Sequence, residues 1–251
     1  MTRSLPFYPH NLQDPPRDPG RSGLRVLKPA TNNRKLAGSV GSGRTFDRAR
    51  TVYGRKLTRH VVRVGDYAGF PLYSLTLPER TTCPRTCGNW TTCYGRSMPF
   101  AHRYNPGPGL VQALADDVAT LSGRYPPGFV VRLHVLGDFY SCEYVDTWRT
   151  LLARFRPLHV FGYTHRKPGD PIGDRVADVV QAYPDRFRVL RSDPDPAAGP
   201  DPLPGAHTLQ AGATDPVPGS VVCPEQIGRT ASCLTCGLCM NGRTSVSFLL
   251  H

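Results

Sequence analysis

From about residue 65 the chain alternates short apolar runs of two-residue period with longer stretches whose apolar positions recur every three to four residues. "FPLYSLTLP" (70–78) reads as a strand running straight into a cysteine loop. "GLVQALADDVATL" (109–121) reads as a helix with Leu110, Leu114, Val118 and Leu121 on one face. "FVVRLHVLGDF" (129–139) is the next strand. "SCEYVDTWRTLLARF" (141–155) is a helix with Ser141 as its N-cap and Tyr144, Val145, Trp148, Leu151, Leu152 and Phe155 as its buried stripe. A strand over 158–164, a helix over 171–184 and a strand over 186–193 follow. This alternation predicts an α/β fold, either a partial (βα) barrel or an open, mostly parallel sheet, with functional groups on the loops that follow the strands.

Residues 193–220 turn to Pro, Asp, Gly and Ala, a long loop or linker with one short strand near "AHTLQ". The terminal "TSVSFLLH" is a last strand, returning to the sheet edge. Four parts result: a basic, largely irregular N-terminal arm (1–64), an α/β core with the first cysteine cluster (65–193), a Pro/Gly/Asp-rich linker (194–222), and a four-cysteine metal-binding segment with the last strand (223–251).

Charge changes the picture at one end only. The chain carries a formal +12, but residues 1–60 hold 13 Lys/Arg against 3 Asp/Glu, and the rest is close to neutral. Such an arm binds nucleic acid loosely through counterion release, or serves only as a solubilising leader. Within it "GSVGSGRT" (38–45) imitates a phosphate loop, yet Arg44 stands where the lysine belongs and no apolar strand precedes it. The first residues lack the apolar run of a signal peptide, and no segment approaches a membrane span. A cytoplasmic location is therefore expected, where clustered cysteines read as metal ligands before disulfides.

The cysteines form two groups. Cys223-x9-Cys233-x2-Cys236-x2-Cys239 supplies four thiolates, and its C-x2-C-x2-C run with one distant partner leans toward cubane iron–sulfur ligation, with zinc as the alternative. Cys83-x3-Cys87-x5-Cys93 supplies three. Cys142, just after "LGDFYS", decides between two states of that group: bound to it, it closes the site; elsewhere, it leaves a position open. Strand alternation sets Arg132, His134 and Leu136 on one face and Val131, Leu133 and Val135 on the other. Arg132, His134 and Asp138 are thus candidate catalytic residues. Tyr163, Thr164 and His165 end the third strand; Arg191, Ser192 and Asp193 end the fourth and face the same mouth.

"TCPRTC…CYGR", "LHVLGDFYSCEYVDTW", "FGYTHR" and a terminal "CP…C..C..C" closing in "SFLLH" resemble the phage gene product 88 family over about residues 65–251. The resemblance implies a phage or prophage-borne protein and no mechanism. The order of motifs also resembles the radical S-adenosylmethionine enzymes. That resemblance implies a 4Fe–4S cluster on Cys83, Cys87 and Cys93 and S-adenosylmethionine as cofactor. Gly137 and Asp138 would meet the methionine amino group, Thr164 would stand at the polar end of the third strand, and Ser192 and Asp193 would lie near the ribose. The four C-terminal cysteines would hold an auxiliary cluster. The chain departs from that pattern in its second cysteine gap, x5 in place of x2, and in Leu136-Gly137-Asp138 in place of glycine–glycine–glutamate. Two expectations stand: an iron–sulfur, radical S-adenosylmethionine-like enzyme, or a nucleic-acid-binding phage protein with two closed zinc sites, Cys83/Cys87/Cys93/Cys142 and Cys223/Cys233/Cys236/Cys239.

Overall fold

The computed structural model describes residues 12–30, 60–195 and 199–250, together with the backbone of 51–52 and 55–56. The phosphate-loop imitation at 38–45 and most of the basic arm lie outside the described residues. Eight strands form one sheet: β1 (Lys28–Pro29), β2 (Leu72–Ser74), β3 (Phe129–Leu133), β4 (Leu158–Thr164), β5 (Phe187–Ser192), β6 (Gly205–Thr208), β7 (Ser220–Val222) and β8 (Ser245–Phe248). Their spatial order is β1-β2-β3-β4-β5-β6-β8-β7. β1 runs antiparallel to β2, and every other neighbouring pair is parallel. The fold is therefore α/β with a mostly parallel sheet, each strand from β2 to β6 laid beside its predecessor as crossover connections require.

Three helices make the crossovers from β2 to β5: α1 (Pro108–Arg124), α2 (Cys142–Arg154) and α3 (Pro171–Ala182). Ser141 caps α2 as expected, its Oγ accepting the Tyr144 N–H at 3.1 Å. Asp170 does the same for α3 through the Ile172 N–H at 2.8 Å, ahead of a proline at the first helical position. The helices cover one face of the sheet, where Phe129, Val131 and Leu133 of β3 pack with Val160, Val189, Leu114, Val118, Trp148, Leu152 and Val176. On the other face Leu72, Val130 and Phe161 meet Leu234 and Met240 from the C-terminal cysteine segment. That segment is thus a cover for the face the helices leave bare.

Three parts of the sequence reading change. Residues 24–30 of the arm belong to the core: Leu24, Val26 and Leu27 are buried. The Asp117 carboxylate on α1 accepts the backbone N–H groups of Arg25, Val26 and Leu27 at 2.7, 2.8 and 2.7 Å, which fixes the segment without any apolar period. The stretch 194–222 holds the strand expected near "AHTLQ" as β6, and beyond that expectation it adds β7 and buries Leu203, Ala206 and Leu209. And β8 does not lie at the edge; it inserts between β6 and β7, pairing Val246 with Ala206 on one side and Val221 on the other.

Candidate functional site

The first cysteine loop does not follow β2 directly. A helical turn, Glu79–Thr82, intervenes and ends on Cys83, whose N–H donates to the Glu79 carbonyl at 3.0 Å. The Cys87 and Trp90 N–H groups bond the carbonyls of Pro84 and Cys87, each at 3.0 Å, and a 3-10 turn, Tyr94–Ser97, follows Cys93. Beneath the loop Arg103 forks onto Glu79, Nε to Oε2 at 2.8 Å and Nη2 to Oε1 at 3.2 Å. The same guanidinium donates to the carbonyls of Gly95, Met98 and Ala101. A side chain at Gly95 would collide with Glu79, its Cβ 2.6 Å from Oε1, so the loop closes over the ion pair only with glycine there.

The three thiols of this loop are electrostatic neighbours. Burial pushes the Cys83 thiol far up, and Asp138, Cys87 and Cys93 push it the same way. Burial raises Cys87 to about 11, with Cys93 and Asp138 adding to it, and raises Cys93 as well. Their burial favours the neutral thiols, and a bound cation would favour the thiolates.

The strand ends converge here, as the topology predicts. Gly137 adopts φ +89°, and a Cβ on it would stand 2.6 Å from Thr82 Oγ1 and 2.7 Å from Leu77 Cβ, so only glycine lets this turn reach the cysteine loop. The Asp138 carboxylate is fully buried and already engaged. Oδ1 accepts the Phe139 N–H at 2.7 Å and the Thr164 hydroxyl at 2.8 Å, and Oδ2 accepts the His165 N–H at 2.8 Å. Burial raises its pKa to about 6 against those bonds and the Arg166 charge. Its N–H donates to Thr82 Oγ1 at 3.1 Å, which ties the ends of β3 and β4 to the start of the cysteine loop. Arg166 adds donations to the Phe139 and Thr82 carbonyls at 2.9 and 3.1 Å. Asp193, at φ 45°, accepts the Thr208 hydroxyl at 3.2 Å and the Asn89 amide of the loop at 3.5 Å. Ser192 beside it lines a shallow cleft with Lys167 and Asp195.

His134 is not where strand alternation put it. β3 ends at Leu133, and His134 turns to the helical layer, its Nε2 2.9 Å from the Tyr144 hydroxyl and its ring 5.1 Å from that of Phe139. Burial lowers its pKa to about 3, so it is a neutral core histidine, removed from Arg132. Arg132 does stay on the expected face. Cys142 opens α2 half-buried; the titratable groups acting most on Cys83 and Cys87 are Asp138, Glu79, Asp193 and the loop's own thiols, and Cys142 is not among them.

The C-terminal group is built on two helical turns. Ser232 and Thr235 form a capping box for Cys233–Cys236, and Gly237, at φ +70°, turns the chain into Leu238–Asn241, which carries Cys239. Arg188 holds this segment to β5, donating to the Asn241 carbonyl at 2.7 Å and its side-chain oxygen at 2.9 Å. Cys223 is buried just after β7. Burial raises Cys233 to about 11, with Cys223 and Cys236 adding to it and Arg132 opposing. Burial raises Cys239 to about 12, with Cys233, Cys223 and Cys236 adding and a hydrogen bond from Tyr163 opposing.

Among the described residues no three His, Cys, Asp or Glu side chains converge tightly enough to share one metal ion. A cubane takes each thiolate on a different iron and so asks for wider spacing. The all-thiol donor sets, seven of the eight cysteines in two groups, suit such a cluster chemically. The sequence reading missed Glu79, Arg103, Asn89 and Arg166. One signal was present: Glu79 is the last acid before Asp116 in a stretch with four arginines between them.

Among the described residues no helix is long and apolar enough to cross a membrane. No family model and no solved structure matches the chain. It is 28% identical over 154 residues to the Gene 88 protein of Mycobacterium phage D29, covering 55% of this chain and 62% of that protein. It is 27% identical over 151 residues to the Gene 88 protein of Mycobacterium phage L5, with the same coverage. The chain thus spans less than two thirds of the length of these curated relatives, whose names carry no activity.

Proposed function

We propose that this chain is a phage protein of the gene 88 type and an iron–sulfur protein. Cys83, Cys87 and Cys93 hold one 4Fe–4S cluster at the C-terminal end of the parallel strands, and Cys223, Cys233, Cys236 and Cys239 hold a second over the face opposite the helices. The observation that carries this reading is the gathering of seven buried or half-buried thiols into two groups, in which Cys87 and Cys93 act on Cys83, and Cys223 and Cys236 act on Cys233 and Cys239. The ascending order of β2 to β6, with the three-cysteine loop after the first of them, further supports a radical S-adenosylmethionine-like enzyme with one position of the first site left to that cofactor.

When bound, such a cluster supplies one-electron chemistry, and the protein binds and orients. The chain's own residues then act by position. Glu79 and Arg103 close the loop, Gly137 admits it to the strand ends, and Asp138 and Asp193 tie it to β4 and β6. Asp138 is a positioning residue in this reading, because its carboxylate is already held by Phe139, Thr164 and His165. The basic arm is assigned loose contact with nucleic acid, for which affinity should fall steeply with salt and vanish when the Lys and Arg residues of 31–59 are replaced by Ser, a change that leaves the buried residues 24–30 in place.

Iron, acid-labile sulfide and zinc in anaerobically purified protein test the reading. Iron and sulfide in equal amounts, about eight of each per chain for two 4Fe–4S clusters, are expected. Zinc without sulfide overturns it in favour of closed thiolate sites. Cleavage of S-adenosylmethionine by the reduced protein tests the enzyme; without it the clusters serve structure or electron transfer.

A further inference from the structure

Among the described residues the buried arginines, Arg103, Arg188 and Arg191, have carboxylates beside them, whereas half-buried Arg132, which faces the C-terminal site, does not. Arg103 lies on Glu79 at 2.8 Å, Arg191 on Asp201 at 2.8 Å, and Arg188 within reach of Asp185 and Asp66 at 3.5 and 3.6 Å. Arg132 projects from β3 on the face of Val130, where Cys233 and Cys239 pack against the apolar cluster that includes Val130 and Phe161. Its Nε is buried with no hydrogen-bond partner among the described residues. Its guanidinium carbon stands 5.9 Å from the centre of the Tyr163 ring. The groups acting on its charge are Tyr94, Tyr163, Cys233 and Cys239, none of them a carboxylate. A desolvated guanidinium with an unused N–H is costly unless an anion stands before it. Thiolates and the sulfides between them would be that anion.

We propose that Arg132 is the counter-charge of the C-terminal iron–sulfur cluster and raises its reduction potential. The inference rests on the iron–sulfur reading. Reduction adds negative charge, so a fixed cation close by favours the reduced state, and hydrogen bonds to the sulfurs act in the same sense. In the first loop Asp138 and Glu79 act on Cys83, while Arg80 and Arg103 oppose Glu79 at Cys93; in the C-terminal group Arg132 opposes the Glu225 carboxylate at Cys233. Tyr163 reinforces Arg132 through its hydrogen bond to Cys239.

Potentiometric titration of the full-length protein, followed by electron paramagnetic resonance, reads this directly, with the C-terminal signal assigned by its loss in Cys236→Ser. Arg132→Met should move that signal to lower potential by at least tenfold in the one-electron equilibrium, ~59 mV, and leave the other in place. Arg132→Lys, which keeps the charge, should move it less. An unchanged C-terminal potential at unchanged iron and sulfide content overturns the proposal, and so does an equal shift of both signals. Where Arg132→Met loses iron, Arg132→Lys and Arg132→Gln carry the comparison, and equal potentials in those two overturn it. A wild-type protein without iron and sulfide removes the iron–sulfur reading itself, which metal analysis shows before any potential is measured.

Discussion

Arg103 and Glu79 meet as a buried two-pronged ion pair, Nε 2.8 Å from Oε2 and Nη2 3.2 Å from Oε1, directly under the first cysteine loop. Glu79 begins the helical turn that delivers Cys83, and Arg103 follows the loop's exit, so the pair joins entry to exit. Glu79→Ala leaves the guanidinium buried without its counter-ion, which costs about 3–5 kcal/mol. Denaturant unfolding should show that loss together with loss of metal from the first site, while the C-terminal site keeps its metal. Equal loss from both sites would mean that the pair merely stabilises the fold.

Asp138 joins β3, β4 and the cysteine loop, and its replacement separates positioning from direct cofactor contact. Asp138→Ala strands the Thr164 hydroxyl and the His165 and Phe139 N–H groups, at about 1–3 kcal/mol for each buried group left unpaired. Stability and metal at the first site should fall together, and Asp138→Asn, which retains one acceptor oxygen, should recover part of both. If Asp138→Asn instead left stability and metal intact while abolishing S-adenosylmethionine binding, the carboxylate would be a cofactor ligand and not a brace.

What could be read from the chain and what could not divides along sequence distance. Helix α2 was legible because its signals are local: Ser141 at the cap and a stripe from Tyr144 to Leu152 that the structure buries. β4 was legible to the residue for the same reason. His134 was misplaced because period-two alternation holds only while a strand lasts, and β3 stops one residue earlier. The brace of Asp117 on residues 25–27 and the fork of Arg103 on Glu79 span tens of residues and leave no periodic trace. Convergence of the cysteine loop with Asp138 and Asp193 was legible from topology alone, since parallel strands end at one edge.

Two buried histidines set the acid limit of the fold. Burial lowers His134 to about 3 and His60 to about 4, both below the ordinary value of 6.5. The unfolded chain therefore binds more protons than the folded one below pH 6.5, so stability is full above that pH and falls as pH drops toward the folded values. Each histidine contributes a slope of up to about 1.4 kcal/mol per pH unit. Unfolding free energies from urea titrations between pH 6.5 and 4.5 should fall less steeply for His134→Gln than for the wild type, by up to about 1.4 kcal/mol per pH unit. Thiol protonation acts on both proteins alike, so parallel curves would show that His134 is charged or exposed in solution.

Cys142 tells an open first site from a closed one. It begins α2 half-buried, and the groups acting most on Cys83 and Cys87 do not include it. In the proposed reading three thiolates would then hold the first cluster and leave one position for substrate or cofactor. Cys142→Ala should keep the metal and sulfide content of the wild type to within the error of the assay, whereas Cys87→Ser should lose the first site's share. Stability should change little, because a half-buried cysteine at a helix start gives up only a small side chain. Loss of metal from Cys142→Ala equal to that from Cys87→Ser would make Cys142 the fourth ligand, close the site, and remove the position that the enzyme reading requires.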